Sequence, residues 1–93
     1  MRAYSTNDAE TLALSALAAT LTDERRAQRF LDLSGIDTEE LRRRAAEPAL
    51  LAAVLRFLEA HEPDLIAVAE AIGAKPADLV AAREVLEGCS VRC

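Results

Sequence analysis

The chain is poor in the residues that chemistry usually needs. It has one histidine, two cysteines, three glycines and three aromatic side chains, with no tryptophan. No serine or cysteine stands in a recognisable motif with the lone histidine, so a nucleophile with its base is not readable. The three glycines read as helix stops rather than a phosphate-cradling loop, and acid pairs such as Glu39/Glu40 read as helix caps. These absences point away from an enzyme and imply no cofactor. Cys89 and Cys93, spaced C-x3-C, are two ligands short of a zinc site. A set of His61, Glu62, Cys89 and Cys93 would need the C-terminal tail to fold back. Reduced thiols on a flexible tail over 89–93 are the plainer expectation, and no metal site is assigned.

Long apolar runs are also missing. No segment reaches the roughly 18 uninterrupted apolar residues of a membrane span. The Leu12–Leu21 stretch is no signal-peptide core, because Asp8 and Glu10 occupy the place of a positive n-region and Thr22-Asp23-Glu24 is a poor cleavage context. A cytoplasmic location is expected. Positive charge is scarce too: the net charge is −5 and the pI about 4.8. Residues 1–44 carry seven basic and eight acidic groups, whereas residues 45–88 carry three basic (Arg56, Lys75, Arg83) against eight acidic. Such a surface argues against nucleic acid and anionic membranes as partners.

What is abundant is alanine and leucine. With 52% apolar and 29% charged residues, the composition is that of a globular chain, and helix formers without β-branched runs point to helix throughout. The expectation is one all-α domain over 1–88, a compact bundle of about six short helices. The first runs from about Asp8 to Thr20, with Asn7 and Glu10 as capping box and Ala9, Leu12, Ala13, Ala16 and Leu17 inward. The second follows Thr22 as cap, turns Ala27, Phe30 and Leu31 inward and stops at Gly35. The third spans about Thr38 to Ala46, with Asp37 and Glu40 as its box and Leu41 and Ala45 as anchors. Pro48, Pro63 and Pro76 open the remaining three. Their inward sets are Leu50, Leu51, Val54, Leu55 and Leu58; Leu65, Val68, Ala69 and Ile72; and Leu79, Ala82 and Leu86. Gly73 and Gly88 are the expected stops. Ala53 and Phe57 make the fourth helix apolar nearly all round, which places it at the centre.

The run Phe30–Leu41 aligns with Val68–Leu79 at an offset of 38, each a helix, a glycine stop, a turn and a new helix. The chain thus reads as two related three-helix halves packed around the fourth helix, with chance similarity between Ala/Leu-rich helices as the rival explanation. The runs Phe30-Leu31-x-Leu33-x-Gly35, Leu41-Arg42 and Pro48–Leu58 resemble a family of small helical alphaproteobacterial proteins catalogued as domain of unknown function 3572. The resemblance covers roughly Ala9 to Leu86. It implies a small helical bacterial protein and brings no activity, cofactor or catalytic residue.

Candidate binding residues follow from what the helices do not use. The Gly73 unit has helix-turn-helix spacing in Ala69, Ile72, Gly73, Ala74 and Leu79, yet its outward residues Lys75, Pro76, Ala77, Val80, Ala81 and Glu84 offer little to a base edge. The Gly35 unit presents Thr38, Arg42 and Arg43, but Asp37 and Glu39 sit at the end that would enter the groove. In Arg42-Arg43-Arg44, the i,i+4 pairs Glu39–Arg43 and Glu40–Arg44 give a local explanation. Arg25, Arg26 and Arg29 have no obvious local partner and suit an acidic partner or a phosphate, or form a solvated face. Phe57, Ile66 and Val80 lie off the main apolar stripes. The expected function is a non-enzymatic protein-binding or regulatory module, or a homodimer, using Phe57, Ile66, Val80, Arg25, Arg26 and Arg29. The alternative is a nucleic-acid-associated regulator using the Arg25–Arg44 region with Arg42 and Arg43.

Overall fold

The computed structural model describes residues 6–92, and the side chains of residues 8–88. Six helices follow in order: α1 Thr6–Thr22, α2 Glu24–Ser34, α3 Thr38–Arg44, α4 Pro48–Glu59, α5 Glu62–Ile72 and α6 Pro76–Arg92. The inward residues expected from the 3.6-residue period are those that vanish from solvent. Val54, Leu55, Leu58, Val68, Leu79, Ala82 and Leu86 are all fully buried, and Phe30 and Leu41 nearly so. Leu12, Leu31, Ala45 and Ile72 are half-buried at the margin of the same core, and Ala27 is half-buried without belonging to that margin.

The centre is shared rather than held by α4 alone. α4 packs most extensively on α6, as expected of an apolar helix, but α1 touches α2, α4, α5 and α6. The reason lies in its inner face: Ala9, Ala13 and Ala16 present only methyl groups, which lets neighbouring backbones come close. One polar group is buried beside them, Thr20, whose hydroxyl donates to the Ala16 carbonyl at 2.7 Å. On α4, Ala53 is exposed while Ala52 is buried.

Several helix ends differ from expectation for identifiable reasons. α1 already includes Thr6, so Asn7 lies inside it; its side chain is outside the described residues. Asp23, not Thr22, caps α2, accepting from the Arg26 backbone N–H at 3.0 Å. Thr22 instead closes α1 by donating to the Ala19 carbonyl. Asp37 caps α3 through the Glu40 N–H at 2.8 Å, but the Glu40 carboxylate does not complete a box, because Arg44 engages it at 3.1 Å. Pro63 is the second residue of α5, whose cap position falls to His61. Gly88 is no stop: α6 passes through it to Arg92, so the helical backbone runs into the segment expected as a tail. The side chains of Cys89 and Cys93 lie outside the described residues.

The internal echo is real at the turns and ends there. Gly35 and Gly73 both adopt φ +74°, each followed by two residues before the next helix opens. Beyond the turn, α3 has 7 residues where α6 has 17, and α6 packs broadly on α1 and α4 while α3 is a main neighbour of no helix. The two halves therefore share a local unit without equivalent packing.

Candidate functional site

The polar centre of greatest consequence gathers where α2 passes the α4–α5 junction. Asp64 stands in the first turn of α5 on the same side as Leu65 and Val68, and only 8% of it is exposed. A carboxylate in that position needs cations, since burial without them is costly. α2 supplies two. Arg26 donates from Nε to Asp64 Oδ1 at 3.2 Å, and Arg29 places Nη2 on Asp64 Oδ2. His61 Nδ1 lies 3.0 Å from the same Oδ2, so Arg29 and His61 together close that oxygen off from solvent. Nδ1 is also 3.4 Å from Arg29 Nη2. Nδ1 thus faces both the Asp64 carboxylate and the Arg29 guanidinium, and the ring can donate to the one or accept from the other.

Arg29 is held from below as well. Its guanidinium lies over the Phe57 ring at 5.3 Å from the centroid, and Phe57 meets Phe30 edge-on, centroids 5.3 Å apart at 69°. The expected spare face of Phe57 is thus occupied from within the chain. Even so, 40% of the Arg29 side chain remains exposed, against 15% for Arg26. Asp23, Arg25, Arg26, Arg29 and Asp64 line an open recess of ≈ 290 Å³. The Arg26 backbone N–H chiefly holds the Asp23 carboxyl below its ordinary range; desolvation opposes it, and the Arg26 and Arg25 charges add to the lowering. Arg25 is exposed and forms no ion pair among the described residues.

Successive turns of α2 carry this surface outward. Arg25, Arg29 and Leu33 follow at four-residue intervals and so share one side of the helix. Leu33 is 74% exposed, far beyond Leu14 (41%), Ile66 (40%) and Leu21 (39%). Val80 is half-buried. The structure therefore joins Arg25, Arg26, Arg29 and Phe57 in one place, adds Asp64, His61 and Leu33, and leaves Ile66 as a separately exposed side chain.

Other charged groups are spent between or within helices. Arg83 on α6 bonds Glu59 of α4 at 2.5 Å and Glu87 at 2.8 Å, and Glu87 also receives Arg56, with Nη2 at 3.0 Å from its Oε1. The hydrogen bond from Arg56 chiefly keeps the Glu87 carboxyl below its usual range, and the bond to Glu59 chiefly raises the Arg83 guanidinium. Arg44 is tied to Glu40 and Glu47. Arg42 and Arg43 are exposed, and the Glu39–Arg43 pair expected from spacing does not form. Among the described residues no three His, Cys, Asp or Glu side chains gather as a metal set, and no helix is long and apolar enough to cross a membrane.

Asp64 was the residue that sequence reasoning missed. Its cationic partners lie 35 and 38 positions away, out of reach of any local pairing rule. A signal existed: Asp64 is four residues before Val68, so it interrupts an apolar stripe with a carboxylate that demands a partner.

Neither the curated proteins nor the solved structures contain a match to this chain. A family model described as protein of unknown function (DUF3572) matches residues 6–89. Covering nearly the whole chain, that match makes the protein a member of the DUF3572 family.

Proposed function

We propose that this chain is a non-enzymatic protein-interaction module that docks a partner segment along α2. The observation that carries the reading is Leu33, 74% exposed one turn beyond a guanidinium that Asp64 and Phe57 hold in place. Fully burying a leucine is worth about 1.5–3 kcal/mol, so this side chain represents apolar stabilisation that the isolated domain does not collect. The neighbouring charge specifies the occupant. Arg25 and Arg29 suit a segment with an acidic group one helical turn, about 5 Å, from an aliphatic one. The remaining half of the protein, with eight acidic residues against three basic, repels such a segment and would direct it to α2.

A nucleic-acid reading draws less support. Arg26, Arg29 and Arg44 are engaged by carboxylates, and Glu39 and Glu40 occupy the first turn of α3 ahead of Arg42 and Arg43. The test is capture from native lysate by wild-type protein, Leu33→Ser and Arg25→Ala, with Leu14→Ser as the control for an exposed leucine elsewhere. The reading predicts a species bound by wild type and Leu14→Ser and lost from both α2 variants at unchanged melting temperature. Equal capture by all four proteins contradicts it.

A further inference from the structure

The recess between α2 and the α4–α5 junction has the construction of an oxyanion seat. We infer that Arg29 and Arg25 bind a phosphate group there, beside His61; the inference rests on the docking reading and specifies the anion that such a segment carries. Arg29 is the organising group. Its Nη2 is committed to Asp64 and lies beside His61, while Nε and Nη1 have no hydrogen-bond partner among the described residues. The carboxylate behind and the Phe57 ring beneath orient the guanidinium, so little side-chain freedom remains to be lost when an anion arrives. Arg25, one turn back on the same side, is exposed and has no side-chain hydrogen bond or ion pair among the described residues.

Charge favours an anion at this place above others. The recess residues Arg25, Arg26 and Arg29 against Asp23 and Asp64 leave one positive charge, on a chain whose net charge is −5. A phosphomonoester, at roughly −1.5 to −2 at neutral pH, draws on that surplus more strongly than a singly charged carboxylate. A phosphate also has the oxygens to accept from Arg29 and Arg25 together, whereas one carboxylate is saturated by a single guanidinium fork.

Titration of ¹⁵N-labelled protein, followed at the arginine Nε and histidine ring resonances, tests this with four probes: inorganic phosphate, N-acetyl-phosphoserine amide, N-acetyl-aspartate amide and acetate. The expected result is a saturable shift of Arg25, Arg29 and His61 with both phosphate probes, at least tenfold tighter than with either carboxylate. Arg25→Ala, at an exposed position with no ion pair among the described residues, weakens phosphate binding about tenfold, the size of one charge-assisted hydrogen bond. Arg42→Ala/Arg43→Ala leaves it unchanged. Tighter binding of phosphoserine identifies a phosphorylated side chain as the source, and tighter binding of inorganic phosphate identifies the free ion; either supports the seat. No saturable shift, equal response to carboxylates, or equal loss in the Arg42/Arg43 variant overturns it. The lysate capture can succeed while this titration fails, in which case an acidic side chain, not phosphate, meets Arg29.

Discussion

Asp64→Asn removes one charge without opening a cavity, and its cost can be worked from the geometry. The Asp64 and Arg26 side chains are 11% and 15% exposed, so their 3.2 Å pair is close to the buried limit. Breaking such a pair by removing one partner costs about 3–5 kcal/mol, because the surviving charge stays desolvated. Arg29, at 40% exposure, turns toward water instead, and its share is that of a surface pair, below about 1 kcal/mol. Asparagine retains one acceptor for Arg26, which brings the expected loss to about 3 kcal/mol. That is a large part of the 5–15 kcal/mol that typically holds a domain together. In a domain of this length it lowers the melting temperature by roughly 12–24 °C. Urea unfolding followed by far-ultraviolet circular dichroism gives the number. A cycle combining Asp64→Asn with Arg26→Gln separates the pair from other effects: the expected coupling is about 1–3 kcal/mol. A single-variant loss below about 0.5 kcal/mol, within the range of ordinary surface changes, would refute the claim that Asp64 clasps α2 to α5.

Four further outcomes follow from the helix ends, the α4–α6 clasp and the core. Gly35→Ala and Gly73→Ala each force an L-residue to φ +74°, so both destabilise by about 1 kcal/mol in chemical denaturation. Gly88→Ala does the opposite, stabilising by about 0.5–1 kcal/mol, because Gly88 is helical with nothing near an added Cβ. A destabilising Gly88→Ala would restore Gly88 as a helix stop. Glu87 titrates lower in the folded than in the unfolded chain, where 4.5 is its ordinary value, so its contribution is complete above pH 4.5 and disappears as pH falls through the folded value. Urea midpoints taken from about pH 6 to pH 3 should fall less steeply for Glu87→Gln than for wild type, and parallel curves would contradict the assignment. Leu86→Ala, at a fully buried position of α6, costs about 2–5 kcal/mol in the same assay.

The fold was legible because helices of this kind are punctuated by single residues. Prolines at 48, 63 and 76 and glycines at 35 and 73 mark ends whose chemistry is local, and the buried stripes follow from periodicity alone. Gly88 misled because the same residue serves as a stop only when its backbone turns left-handed, and here the helix continues through it. Asp23 displaced Thr22 as a cap for an equally local reason, a carboxylate one residue nearer the Arg26 N–H. The site was half legible. Arg25, Arg26 and Arg29 stood out for want of local partners, but Asp64 and His61 reach them only because α2 and α5 both pack on α1, which no spacing rule encodes. Phe57 was noticed as surplus to its stripe; that Arg29 and Phe30 cover it depends on the same tertiary approach. Leu33 read as part of a family motif, and its exposure became visible only once α2 was oriented.

The most direct test of the account is photo-crosslinking in native lysate, with benzoylphenylalanine in place of Leu33 in one protein and of Leu14 in another. Docking along α2 predicts a discrete adduct from position 33 that Arg25→Ala removes, and none from position 14. Adducts of the same species from both positions, or none from position 33, would contradict it.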